Sequence, residues 1–233
     1  LFVEKIDEFD LIIFDRYQRR GILPSIYFDN IARYVREGGA VLVASGPDPA
    51  GSGSLFRTPL ASILPAEPNG TVREEAFYPR ISETGKRHPV TRALPGADQD
   101  PPQWSRWFRL IETTPSTGTT VMTGIDDKPA LLLSREGEGR VGLLLSDHVW
   151  LWARGYEGGG PHGPLLRRLA HWLMKEPDLD EEALRLVQRG RDLVVERQTL
   201  GASVKPVTVT KPTGETLQAT LAEAEPGLWR AAV

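Results

Sequence analysis

The residue types that could do chemistry concentrate in the stretch SDHVWLWARGYEGGGPHG (146–163), which gathers Asp147, His148, Arg154, Glu157 and His162 with two tryptophans. A histidine beside a carboxylate can move protons as general acid or base, so His148 or His162 with Asp147 or Glu157 is a candidate pair. The same stretch also reads structurally: Asp147 caps a turn, Trp150 and Trp152 pack beneath an ordered loop, and GGGPHG feeds a helix. The structural reading is preferred to catalysis, and a binding role stays open beside it. His148 and His162 stand 14 residues apart with no H-x-x-x-H or H-x-H pair, so no metal site and no cofactor is expected.

The third catalytic candidate is Ser45, where the apolar run AVLVA ends in Ser45-Gly46-Pro47. A serine hydroxyl is a poor nucleophile without a base in hydrogen-bond reach, and Val43 stands where a G-x-S-x-G elbow needs its first glycine. Ser45 is therefore read as a turn residue. The chain has no cysteine, which excludes disulfides, thiolate metal ligands and a cysteine nucleophile together. The loop GPDPAGSGS lacks the Lys-Ser/Thr ending of a phosphate loop. WSRWFR (104–109) interleaves aromatics with arginine and could stack on sugars, or could lay Arg stems over core tryptophans. His88, ahead of a proline, is read as a loop-fixing residue.

Across 233 residues the net charge is −3, which argues against a nucleic-acid partner because phosphate neutralisation needs a surplus of Lys and Arg on one face. With 40% hydrophobic residues the chain can bury a sizeable core, and no apolar run reaches the roughly 18 residues of a membrane span. No signal peptide is evident in LFVEKIDEFD, and the ends suggest a soluble piece of a longer protein.

The elements that must position these residues follow from periodicity. FDLIIFD (9–15) and AVLVAS (40–45) read as buried strands joined by a helix over LPSIYFDNIARYVREGG, a β-α-β unit with a right-handed crossover. TPLASILP suggests a short helix, and WSRWFRLIET alternates as an edge strand would. TTVMTG, PALLLSREG and GRVGLLLSD are strands, the last two joined by a tight turn over 136–139. Leu165, Leu166, Leu169, Trp172 and Leu173 share one helical face, and DLDEEALRLVQRG reads as a second short helix with acids first and Arg189-Gly190 last. From about residue 192 period-2 segments predict a small β module.

FDLIIFD, YVREGGAVLVASGP, HPVTRALP and GEGRVGLLLSDHVWLW together resemble the glutamine amidotransferase-like branch of the flavodoxin-like folds. The closer likeness is to the domain of that type in large bacterial membrane-anchored proteins, where a β-sandwich segment follows it; HPVT also resembles trehalose-utilisation-type relatives. The resemblance implies an α/β fold with a doubly wound, mostly parallel sheet over residues 1–190 and a partial, Ig-like β-sandwich over 191–233. It implies a Cys nucleophile in a glycine-flanked elbow, and the matching Ala44-Ser45-Gly46 has none.

The expectation is thus a non-catalytic binding or scaffolding domain of a membrane-associated bacterial protein, on an unspecified side of the membrane, with a protein partner. Its expected binding residues are Asp15, Arg16, Ser45, Asp147, His148, Arg154, Glu157 and His162, on loops 15–20, 45–54 and 146–162 at the carboxyl ends of strands. The alternatives are a hydrolase built on His148 or His162 with nearby carboxylates, and a module binding a sugar or other small molecule.

Overall fold

The computed structural model describes the chain apart from residues 1, 3, 50, 115, 116 and 191; residue 50 of the expected 45–54 loop, and residue 191, expected to open the β module, lie outside the described residues. β1 (Ile12–Asp15), α1 (Ser25–Arg36) and β2 (Ala40–Ala44) form the expected β-α-β unit, with β1 and β2 parallel in the register Phe14↔Val43. After β3 (Pro68–Arg73), β4 (Arg80–Ile81), β5 (Leu110–Thr113) and β6 (Thr119–Thr123), the hairpin β7 (Pro129–Glu136) and β8 (Gly139–Leu144) completes the central sheet. Among the described residues that sheet has the order β1-β2-β8-β7-β6-β4, and β3 pairs with β5 outside it.

Both faces of the sheet are covered. Phe14, Val43 and Leu143 lie side by side in register and meet α1, where Phe28 stands 6.3 Å from the Phe14 ring. Leu42, Gly142 and Leu133 point the other way, toward α3 (His162–Leu173), preceded by the short α2 (Trp150–Ala153). A Cβ on Gly142 would lie 3.0 Å from Leu42 and 3.5 Å from Leu169, so this position admits no larger residue without moving a core leucine. Such two-sided burial explains why β2 and the stretch of β8 from Val141 to Leu144 read as unbroken apolar runs rather than alternating ones.

The sheet is mixed where a mostly parallel one was expected. β1–β2 and β2–β8 are parallel, but β8–β7, β7–β6 and β6–β4 are antiparallel. The tight turn at Gly137 (φ +59°) forces the first reversal, since a parallel neighbour needs a crossover of a dozen or more residues. In 104–113 only Leu110–Thr113 is strand, and Trp107 makes an isolated bridge to Phe77. Trp104, Trp107, Leu110 and Ile111 are all buried, a spacing that period-2 alternation does not produce. The expected short helix at TPLASILP is present as a 3-10 turn, Pro59–Ile63.

The segment expected as a second short helix is instead a strand, β9 (Ala183–Arg189), behind a 3-10 turn at Pro177–Leu179. Gly190 (φ +65°) turns it back on β10 (Asp192–Gln198), with which it pairs from Arg189↔Asp192 to Ala183↔Gln198. Alternation of Leu184 and Leu186 with Arg185 and Val187 suits a strand with an available partner, and that partner overrides the helix-like charge order. With β11 (Val207–Thr210), β12 (Thr216–Ala219), β13 (Ala222–Glu225) and β14 (Leu228–Ala232), this region forms an antiparallel sheet β13-β14-β10-β9 and the hairpin β11–β12. The boundary expected at 190 therefore falls inside the β9–β10 hairpin.

The segment that follows β4 binds the second sheet. Arg92 donates to Gln198 Oε1, Gln198 Nε2 donates to the Arg87 carbonyl at 3.1 Å, and His88 Nε2 lies 3.8 Å from Glu181. His88 thus fixes more than its own loop. Among the described residues no helix is long and apolar enough to cross a membrane.

Candidate functional site

Asp147 follows the carboxyl end of β8 and its side chain is only 2% exposed, which demands compensation of its charge. Two arginines supply it. Arg109 Nη1 reaches both carboxylate oxygens, at 2.9 and 3.0 Å, and Arg16 Nε stands 3.2 Å from Oδ2. Arg109 is held in turn by Glu74, whose Oε1 accepts from Nη2 at 3.1 Å. Three segments distant in sequence therefore meet on one carboxylate, and a fourth holds Arg109 in place.

Arg16 comes directly after β1 in a left-handed backbone conformation (φ +49°), a strained state for a residue with a side chain. Its N–H donates to the Ala44 carbonyl at 2.9 Å, and Gly46 packs so closely that a Cβ there would touch Arg16 Cα at 3.4 Å. Arg19 N–H donates to the Gly53 carbonyl at 2.6 Å, so loops 15–20 and 45–54 are stitched together under the guanidinium. The Arg16 side chain is 54% exposed, and so joins the buried carboxylate to solvent.

His148 is adjacent to Asp147 but is not its hydrogen-bond partner: Nε2 is 3.8 Å from Oδ1. Its Nδ1 accepts from the Phe108 N–H at 3.0 Å, which assigns the neutral tautomer with hydrogen on Nε2. Burial pushes the imidazole pKa down; the Asp147 charge opposes that, and Arg109 and Arg16 reinforce it. A neutral ring whose one basic nitrogen is already engaged is positioned to hold the 108 backbone, not to take a proton from a substrate.

Ser45 is buried, with its N–H bonded to the Leu144 carbonyl at 2.9 Å. Among the described residues its Oγ has no hydrogen-bond partner, hence no base. It borders a 20 Å³ pocket with Tyr17, Asp48 and Ser54, too small for more than about one water. Among the described residues the Ser45 hydroxyl therefore caps no turn, and its backbone N–H extends the pairing of β2 with β8 instead.

The remaining expected residues lie outside the Asp147 cluster. Glu157 pairs with Arg106, whose guanidinium hydrogen bond draws the Glu157 pKa down to about 2. That pair is separated from His148 by Phe108, which the Arg106 guanidinium covers at 5.7 Å. Asp15 closes β1 and is exposed, Arg154 ends α2 and is exposed, and His162 opens α3 with its N–H on the Gly160 carbonyl. Trp152 lies under the loop as expected, stacked with Trp107 at 5.0 Å and Trp104 at 5.3 Å, whereas Trp150 is exposed. The hydrolase constellation is not assembled. Among the described residues no group of three His, Asp or Glu side chains could hold a metal ion.

Arg109 and Glu74 were not singled out as site residues by sequence reasoning. The one available signal was Arg109 at the end of WSRWFR, just before a buried strand. Glu74 carries no local signal.

No family model matches the sequence, and no curated protein matches it. Among solved structures the chain is similar to the cytoplasmic protein STM3548 from Salmonella typhimurium, with TM-score 0.59 and 15% identity over 73% of this chain and 74% of that one. It is also similar to the cytoplasmic protein STM1381 from Salmonella typhimurium LT2, with TM-score 0.56 and 17% identity over 73% and 74%. A β-galactosidase from Rahnella sp. R3 aligns with all of this chain but 34% of its own, with TM-score 0.49 and 15% identity. At these identities the Salmonella proteins share a fold with this chain, a mixed α/β architecture, and the likeness extends no further.

Proposed function

We propose that this chain is a non-catalytic, amidotransferase-like binding domain of a membrane-associated bacterial protein, docking a protein partner through the loops that follow β1, β2 and β8. The observation that carries the reading is the state of the groups at that end of the sheet. The Asp147 carboxylate is occupied by two arginines, the basic nitrogen of His148 by a backbone N–H, and Ser45 lacks a base. Groups so committed build a fixed surface and leave no acid, base or nucleophile free to turn over. A helix on each face of the sheet and the parallel run β1-β2-β8 support the amidotransferase-like part; the antiparallel half departs from it. Arg16, exposed above the joined loops, is the centre of the docking face.

Glutamine incubated with the protein releases no ammonia beyond a heat-treated control. On membranes of the source bacterium, the parent protein carrying Arg16→Ala loses a partner that wild type and Arg154→Ala retain. Ammonia release abolished by Ser45→Ala, or identical partners for all three proteins, overturns the reading. A sugar site is the second reading, favoured by exposed Trp150 and Tyr156 on one loop, although Trp104 and Trp107 are buried and unavailable for stacking. Titrating a sugar panel against tryptophan emission, with Trp150→Ala as control, separates the two.

A further inference from the structure

The chain holds two asparagines, and their surroundings are opposite. Asn30 lies inside α1 at 7% exposure; its Nδ2 donates to the Phe2 carbonyl at 2.9 Å, its Oδ1 accepts from Arg33 at 2.9 Å, and Ile31 follows it. Asn69 is exposed, and Gly70 follows it. The pairing of β3 with β5 passes from Pro68↔Thr113 to Val72↔Ile111, so Asn69, Gly70 and Thr71 bulge opposite the single residue Glu112. Gly70 has φ +92° and nothing within 4 Å of where a Cβ would stand, which leaves this part of the bulge unpacked. Asn69 Oδ1 accepts from the Thr71 N–H at 2.9 Å, a turn that folds the carboxamide back over the Asn69–Gly70 peptide bond.

We propose that Asn69 is a self-modification site, where the chain converts its own carboxamide to a carboxylate and thereby loosens β3 from β5. The Gly70 backbone nitrogen, giving its proton to hydroxide, attacks Asn69 Cγ; a C–N bond forms, the Cγ–Nδ2 bond breaks, and the amide nitrogen leaves as ammonia. A five-membered succinimide results. Water then adds to one of the two ring carbonyls and opens the ring to aspartate or isoaspartate, so the net change is hydrolysis of one amide with no change in oxidation state. Glycine suits position 70 because a side chain there would crowd the attacking nitrogen. The new charge has no partner waiting for it. Asn69 Nδ2 donates to Glu112 Oε2 at 3.4 Å, and after conversion an anionic oxygen stands where that donor was. Arg73, the neighbouring cation, already serves Glu112, Glu75 and Asp126. Like charges facing each other across a strand pair weaken it.

The test holds folded wild type in warm, mildly alkaline buffer beside a synthetic peptide of residues 65–75, and follows both by mass and by peptide mapping. In the folded chain the segment around Asn69 gains the mass of an amide turned to an acid and is labelled by an isoaspartyl methyltransferase, while the segment around Asn30 stays unchanged. Its rate lies within roughly tenfold of the free peptide's, because a bulge that opens locally at little cost reacts nearly as unfolded chain does. Asn69→Gln, which cannot close the five-membered ring at a comparable rate, keeps its mass. Asn69→Asp, which carries the product charge, melts below Asn69→Gln, and adding Glu112→Gln to Asn69→Asp removes that difference. Three results overturn the proposal: Asn69 intact in the folded chain after the free peptide has converted, the same mass gain in Asn69→Gln, or Asn69→Asp melting no lower than Asn69→Gln.

Discussion

Residue by residue, the centre of the molecule is one buried carboxylate and the cations that neutralise it. Replacing Arg109 by Met keeps much of the stem but removes the bidentate partner of Asp147, so a nearly buried charge is left with a single arginine; the expected loss is about 3 kcal/mol in urea unfolding. Arg16→Ala removes a half-exposed partner and should cost only about 1 kcal/mol, which screening by solvent permits. Equal losses for the two variants would show that the carboxylate does not depend chiefly on Arg109. Asp147, His148 and Arg16 could be singled out from sequence because they border strand ends. Arg109 also borders a strand, β5, but neither it nor Glu74 could be matched to Asp147 from sequence, because a non-local ion pair leaves no trace in periodicity or spacing.

At the scale of elements, the β7–β8 hairpin and its glycine are where backbone geometry is least forgiving. A Cβ at Gly139 would lie 1.9 Å from the Val35 carbonyl of α1, so Gly139→Ala should push the hairpin off that helix and lower the unfolding midpoint sharply. Gly163, in the first turn of α3 with open space around its Cβ position, is the converse. Gly163→Ala meets no tertiary neighbour, but its Cβ crowds the ring of the following Pro164, so the change should stay below about 1 kcal/mol, and equal effects at the two glycines would contradict both assignments. Elements with strong periodicity and local punctuation, β1, α1, β2, the β7–β8 turn and α3, were legible in the sequence. β9 was not: acids before and arginines after are what a helix dipole favours, and the competing signal, a partner strand beyond Gly190, is visible only once β10 is in place.

For the whole molecule, the junction of the two sheets is the acid-sensitive part. Burial lowers the His88 pKa from its ordinary 6.5, so below about that pH the unfolded chain binds a proton that the folded chain resists, and stability falls as pH falls. Glu181, whose burial acts to raise its pKa, is nonetheless held well below 4.5 by the neighbouring His88 ring and by the hydrogen bond from Arg135. Its contribution is present above that value and is lost in stronger acid. Urea midpoints measured near pH 7.5 and near pH 5.5 should drop for wild type and drop less for His88→Gln; an unchanged difference would remove His88 from the account. The Asp147 cluster has another consequence, in time. Its bonds span 38 residues from Arg109 to Asp147 and 35 from Glu74 to Arg109, so they close only after the strands between them have docked. Contacts that form so late are absent from the rate-limiting barrier to folding. Losing Arg109 should therefore leave the refolding rate nearly unchanged and appear almost wholly as faster unfolding, which makes the cluster a latch that sets the lifetime of the folded state.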